Sequence, residues 1–246
     1  MTGVRVTALT GRGAVRPGNQ DAVLAFDWIS QATEPRVVQL TAAGPPPLLF
    51  AVADGLGGHN AGDLASRLAV ADLAARHPGW DTAEAVHAGL VAIGESLHHT
   101  AARSPATAGM RTTVAGLLLT TDGVCVFNVG DSRVYRVTDG YLEQLSVDHA
   151  SGRSTVTQAL GDPPADPLDP FVQQSAPDPA GARYLLCTDG IHGALDDRAL
   201  RKACRLTDPA DLATTLRDDT FAAGAPDNLS LLVIDIAAAT PTAPAA

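Results

Sequence analysis

Three carboxylates stand beside strand-like apolar runs that lie far apart in this chain. Asp54 follows the apolar residues 48–52 and is itself followed by Gly55; Asp189 follows residues 184–188 and precedes Gly190. Asp227, with Asn228, directly precedes a third apolar run over residues 229–234. A single Asp-Gly is ordinarily a turn. Three acids at strand ends can instead converge at one sheet edge, where their mutual repulsion is relieved by a hard divalent cation that takes oxygen ligands. The expected chemistry is that of a metal site. Asp131, in the tight turn Gly130-Asp131-Ser132-Arg133, is a fourth candidate ligand. Arg16, in the loop leading to Asp21, offers a planar fork matched to phosphate oxygens, although such a loop Arg alone also reads as a solvated side chain.

The pattern around these residues predicts the elements that must hold them. Gly57 and Gly58 keep the loop after Asp54 small, and Asn60 is expected to cap a helix with Asp63 in the capping-box position. Ala61, Leu64, Ala65 and Leu68 give that helix its apolar stripe. A second helix is expected from Asp81, with Glu84 in the box position and Val86, Leu90, Ile93 and Leu97 on one face. Residues 4–10 and 22–29 read as strands, and residues 30–47 as an extended connection. Hairpins are expected from residues 114–120 with 124–129, and from 134–138 with 141–145, each around an Asp-Gly pair. Residues 145–170 read as irregular, with 156–161 the only ordered-looking part. Further helices are expected over residues 196–204 and from Asp208-Pro209 to about Phe221, with a last strand over 229–236. The Ala/Pro/Thr-rich residues 237–246 read as a disordered tail. With no repeat or linker, residues 1–236 are expected to form one domain.

Composition narrows the function classes. At 246 residues the chain can bury a sizeable single core. Its formal net charge of −10 argues against broad nucleic-acid binding or attachment to an anionic membrane surface. Lys202 is the only lysine, and Cys125, Cys187 and Cys204 have no CxxC spacing, so neither a zinc signature nor a disulfide framework is present. None of the three thiols is followed by the five-residue cradle and Arg of a Cys-centred phosphatase loop. Without a visible signal peptide or membrane-spanning run, the expected location is cytoplasmic. The glycines lack the GxxxxGK[ST] and dinucleotide spacings, which disfavours a nucleotide-binding loop.

Taken jointly, five motifs carry a family resemblance. Val15-Arg16-x-x-Asn19-Gln20-Asp21, Asp54-Gly55-x-Gly57-Gly58-His59, Gly130-Asp131-Ser132-Arg133, Thr188-Asp189-Gly190 and Asp227-Asn228 occur in the order found in the metal-dependent Ser/Thr protein phosphatases. The chain resembles the bacterial branch of this PPM, or type 2C, family over residues 4–236. The resemblance implies an α+β fold: a four-layer α-β-β-α sandwich with two central antiparallel sheets flanked by helices. It implies two tightly held Mn²⁺ or Mg²⁺ ions and a third, weaker one. Asp54 would bridge the first two, Gly55 would lend a backbone carbonyl, and Asp189 and Asp227 would hold the second ion. Asp131, with Asp189, would match the third position. Arg16 would bind phosphate and Asp21 would orient a water. The implied reaction is hydrolysis of phosphoserine and phosphothreonine by metal-activated water, without a phosphoenzyme, on phosphorylated protein substrates. A cognate Ser/Thr kinase is a compatible partner, and a monomer is expected.

Three departures qualify the match. Gln20 stands where many members carry a Glu. Leu56 occupies the position where eukaryotic members carry a His proposed as general acid, with His59 three residues further on. Only residues 150–157 separate Asp148-His149 from Gln158-Ala159-Leu160-Gly161, so the mobile flap of bacterial members is largely deleted. The alternative reading is a pseudophosphatase that uses the same fold to bind phosphoproteins.

Overall fold

Residues 49–53 are all fully buried, and a strand this uniformly apolar must be covered on both faces. The computed structural model supplies that cover; it describes residues 3–42, 44–56, 61–139, 141–152, 155–163, 167–178 and 180–238. The strands are β1 (Val4–Gly11), β2 (Asp21–Ala25), β3 (Trp28–Ser30), β4 (Val38–Ala42), β5 (Leu48–Leu56), β6 (Arg111–Thr112), β7 (Val114–Leu119) and β8 (Val124–Val129). They continue with β9 (Arg133–Thr138), β10 (Tyr141–Gln144), β11 (Ala150–Ser151), β12 (Thr155–Val156), β13 (Phe171–Ser175), β14 (Ala182–Cys187) and β15 (Leu229–Ile236). The helices are α1 (Gly62–Arg76), α2 (Ala83–Ala101), the single turn α3 (Asp189–His192), α4 (Asp197–Ala203) and α5 (Pro209–Ala222).

One sheet has the order β10-β9-β14-β15-β1-β4, and the other β13-β8-β7-β5-β2-β3 with β6 extending the end of β5. The strand pairings in both are antiparallel. Alternation along β5 divides its side chains between two cores. Phe50 and Val52 point between the sheets to join Val6, Leu117, Leu186 and Leu232, while Leu49, Ala51 and Ala53 meet Leu73 of α1 and Ile93 of α2. On the opposite outer face Leu185, Leu231 and Val233 pack against Leu200 of α4 and Leu212 and Leu216 of α5. The result is the four-layer α-β-β-α sandwich.

Several local expectations are corrected. The strand over residues 48–52 does not stop at Asp54-Gly55: it runs to Leu56, because Gly55 and Leu56 pair with Thr112 and Arg111. The run over 22–29 is two strands, broken where Phe26 adopts φ 59°. Part of the supposed connection over 30–47 is β4, which pairs with β1 and carries the chain between the sheets. Helix α1 has Ala61 as its N-cap without a side-chain cap bond; Asn60, with Gly57, Gly58 and His59, lies outside the described residues. Helix α2 starts one residue later than expected, capped by Thr82, whose hydroxyl accepts from the Ala85 N–H at 3.2 Å. The residues 145–170, expected to be irregular apart from 156–161, contain the two-residue ladder β11–β12, which occupies the shortened flap; Arg153 and Ser154 lie outside the described residues. The unforeseen strand β13 is an edge strand, half exposed, and so lacks an apolar run to announce it. Of the supposed tail, residues 239–246 are likewise outside the described residues.

Candidate metal centre

Strand direction brings the acids together. Antiparallel pairing of β2 and β5 sets Asp21 opposite Asp54, at the start of one strand and the end of the other. At the same end of the second sheet β14 finishes and β15 begins, so Asp189, the first residue of α3, stands beside Asp227, which precedes β15. Asp131 enters from the turn between β8 and β9. The two sheet ends are joined directly: the Thr188 hydroxyl donates to Asp21 Oδ2 at 2.8 Å and accepts from the Ser230 N–H at 3.1 Å.

Close backbone packing fixes this junction. A Cβ on Gly190 would lie 1.7 Å from the Asn228 carbonyl, and one on Gly55 would lie 2.1 Å from the Gly62 carbonyl. Only glycine lets α3 approach β15, and β5 approach the start of α1, this closely. Asn228 then staples the Arg16 loop to β15: its Nδ2 donates to the Arg12 and Gly18 carbonyls, and its Oδ1 accepts from the Gln20 N–H, each at 2.8 Å. The Asp54 carbonyl accepts from the Thr113 N–H at 2.9 Å and the Thr112 hydroxyl at 2.8 Å.

The electrostatics are those of crowded, buried acids. Burial first, and neighbouring carboxylates second, push Asp54 well above the usual carboxylate range. Burial likewise raises Asp21 to about 7, against hydrogen bonds from Ser230 and Thr188 that favour its charge. Burial and the Asp227 charge raise Asp189, whose carboxyl is close enough to share a hydrogen bond with that of Asp54. Burial and the Asp189 charge raise Asp131 to about 6. Its carbonyl accepts from His192 Nε2 at 3.0 Å, and burial lowers that imidazole to about 4.

Among the described residues no three His, Cys, Asp or Glu side chains are grouped closely enough to hold a metal ion as they stand. Of these acids Asp227 is paired, with Arg16. Arg16 therefore does not stand open as expected: its Nη2 donates to Asp227 Oδ2 at 2.5 Å. Both partners are partly exposed, at 51% and 30%, and such pairs are worth only about 0–1 kcal/mol. A cation or phosphate can separate them. Among the described residues, Asp21 Oδ1 and Asp189 Oδ1 are buried without a hydrogen-bond partner, a costly arrangement unless something else takes their lone pairs. An all-oxygen set with orphaned carboxylate oxygens fits Mg²⁺ or Mn²⁺.

The comparisons with known proteins identify the lineage. A family model described as protein phosphatase 2C matches residues 41–223. The chain belongs to the protein phosphatase 2C family. It is 29% identical to the Ser/Thr protein phosphatase PstP of Mycobacterium tuberculosis over 95% of its own length, and spans 45% of that relative. It is 26% identical to the Ser/Thr phosphatase stp of Listeria monocytogenes, over 92% of this chain and 93% of that one. A crystal structure of the M. tuberculosis PstP superposes with a TM-score of 0.79 at 28% identity, covering 96% of this chain and all of that one. The PstP catalytic domain in complex with two manganese ions gives a TM-score of 0.78 at 27% identity, with 96% and 100% coverage.

Within this type 2C fold, the motifs contain residues whose part was not evident from their spelling. Thr188 and Asn228 sit inside motifs that drew attention for Asp189 and Asp227, yet they make the bonds that join the sheets and the Arg16 loop. Thr10, Ser230 and Asn19 continue the buried chain: Asn19 Nδ2 donates to Thr10 Oγ1 and Ser230 Oγ donates to the same oxygen, both at 2.8 Å. A polar residue amid an apolar run, such as Ser230 between Leu229 and Leu231, was the available signal.

Proposed function

We propose that the chain is a Mg²⁺- or Mn²⁺-dependent phosphatase acting on phosphoserine and phosphothreonine in proteins. The observation that carries this reading is that Asp21, Asp54, Asp189 and Asp227 stand at one end of the two sheets, with two buried carboxylate oxygens lacking partners among the described residues, beside a half-exposed arginine. Asp54, Asp189, Asp227 and the Gly55 carbonyl would hold two cations, and Asp131 with Asp189 a third, weaker one. Such cations, when bound, would supply a lowered pKa for an attacking water and would offset the charge of the phosphoryl oxygens.

The chain's own groups supply the rest. Arg16, released from Asp227, has both ends of its guanidinium free to grip two phosphate oxygens. Asp21, fixed through Oδ2 by the Thr188 hydroxyl, keeps Oδ1 as an acceptor that orients the attacking water. Substrates are phosphorylated proteins, a cognate Ser/Thr kinase is the expected counterpart, and the working unit is a monomer. The test is turnover of p-nitrophenyl phosphate and of a phosphothreonine peptide with added Mn²⁺. Phosphopeptide binding without phosphate release by the metal-loaded protein would favour the pseudophosphatase reading and overturn this one.

Two substitutions probe individual roles. Arg16→Ala should lower kcat/KM tenfold to a hundredfold, as expected for losing a charge-assisted contact worth about 1.5–3 kcal/mol. Calorimetric Mn²⁺ affinity should change little, because the pair that Arg16 makes with Asp227 is half exposed. Unchanged kinetics would leave Arg16 as a loop residue only. Asp131→Ala should keep the fold and the two tight ions yet lower kcat at limiting Mn²⁺, and full activity at every Mn²⁺ concentration would remove Asp131 from the centre.

A further inference from the structure

The far end of the β9–β10 hairpin carries a second feature that the metal centre does not use. Arg198, Arg201, Lys202 and Arg205, four of the chain's 17 basic residues, lie within eight positions on α4 and the turn after it. All four are exposed, and none makes an ion pair among the described residues. Arg201 and Arg205 line one wall of a groove of about 690 Å³, whose other wall includes Tyr141, 77% exposed, and Asp139. Arg183 forms part of the floor but is occupied, by Asp235 and by the Leu206 and Thr207 carbonyls. Beside the groove runs β10, an edge strand whose outer side has no strand neighbour among the described residues.

Apart from the Asp139 carboxylate, which faces it with like charge, this surface suits one occupant. An open strand edge offers backbone donors and acceptors to an extended peptide. Unpaired guanidinium groups favour carboxylates, and on a protein of net charge −10 a local cationic wall is what an acidic segment can approach. Tyr141 adds a large rigid contact at low entropic cost. We propose that this groove is a remote docking site for an extended Asp/Glu-rich segment of the phosphoprotein substrate. The proposal rests on the phosphatase reading for the identity of the partner.

The geometry also sets a spacing. Strand β9 leads from the Asp131 turn to the groove over six residues, or about 20 Å at ~3.3 Å per residue. An acidic segment must therefore lie at least about six extended residues from the phosphorylated one. Selectivity would come from this distant segment, and little from residues next to the phosphate, consistent with a flap reduced to β11–β12.

Two measurements test the site, with R201E/R205E as the variant and R67E/R103E, a pair of exposed cations on the opposite helical face, as the charge-matched control. First, a fluorescein-labelled Glu-rich decapeptide without phosphate is titrated into the protein in chelator. Wild type and R67E/R103E should bind it equally, and R201E/R205E at least about tenfold more weakly. Equal binding by all three, or equal weakening in both variants, would overturn the proposal. Second, kcat/KM is compared for a phosphothreonine peptide carrying a Glu block or a Gln block nine residues away. The Glu block should lower KM about tenfold with kcat unchanged, and only R201E/R205E should lose that gain while hydrolysing p-nitrophenyl phosphate normally. A KM indifferent to the block in wild type would overturn the proposal. If none of the proteins hydrolyses p-nitrophenyl phosphate, the phosphatase reading fails, and the decapeptide titration still decides the groove.

Discussion

Asp54→Asn should abolish metal-dependent turnover, with kcat falling at least about a thousandfold, equivalent to about 4 kcal/mol of lost transition-state stabilisation. Asp54 is half-buried where β5 meets Asp21 across the ladder, and its carboxylate is one of those proposed to hold the cations. The amide keeps the shape but contributes no charge and replaces one acceptor oxygen with an NH2 donor. The same exchange should stabilise the metal-free protein, because it removes an acid that burial and three neighbouring carboxylates already disfavour as an anion. Lost Mn²⁺ binding by calorimetry, lost phosphate release and a raised Tm in chelator together separate a damaged centre from a damaged fold. A variant that retains two bound Mn²⁺ and near-normal kcat would remove Asp54 from its proposed place.

The second large effect is on stability against pH. Burial raises Asp21 to about 7 in the native chain, against about 3.9 for an unperturbed Asp. Between those values the unfolded chain has released its proton and the native chain still holds it. Stability is therefore fully present below about pH 4 and lost as pH rises through about 7. Asp54 and Asp189 are raised too and act in the same direction. Asp21 alone accounts for a fall of up to about 4 kcal/mol in chelator, or about 10 °C in Tm for a chain of this size. Saturating Mn²⁺ should flatten the curve, since a bound cation favours the charged carboxylates, and Asp21→Asn should flatten part of it without metal. A metal-free Tm independent of pH between 4 and 8 would contradict the burial of these acids.

How far the sequence reveals this molecule depends on what each residue answers to. Strands buried on both faces, such as residues 49–53, are legible because burial leaves no choice of residue type. Helices α4 and α5 are legible because Asp196 and Asp208 cap them with their own side chains, from Ala199 N at 2.8 Å and Ala210 N at 2.7 Å. Edge strands are not: β4 and β13 alternate or stay exposed, and their place is set by partners 30 or more residues away. In the centre, Asp54, Asp189 and Asp227 stand out because charge at a strand end needs a reason. The pairing of Arg16 with Asp227 was hidden because it joins residues 211 positions apart in a loop that Asn228 fixes. The neutral hydroxyls of Thr10, Thr188 and Ser230 were hidden for a different reason. A Thr or Ser in a strand is unexceptional until the fold stacks three of them between the sheets.

The most direct test of the central claim is phosphate release from a phosphothreonine peptide by metal-stripped protein as Mn²⁺ is added back, with bound metal counted in parallel. No turnover in chelator, and a rate that rises as two Mn²⁺ bind per chain, is the predicted result. Turnover that persists in excess chelator would contradict the account.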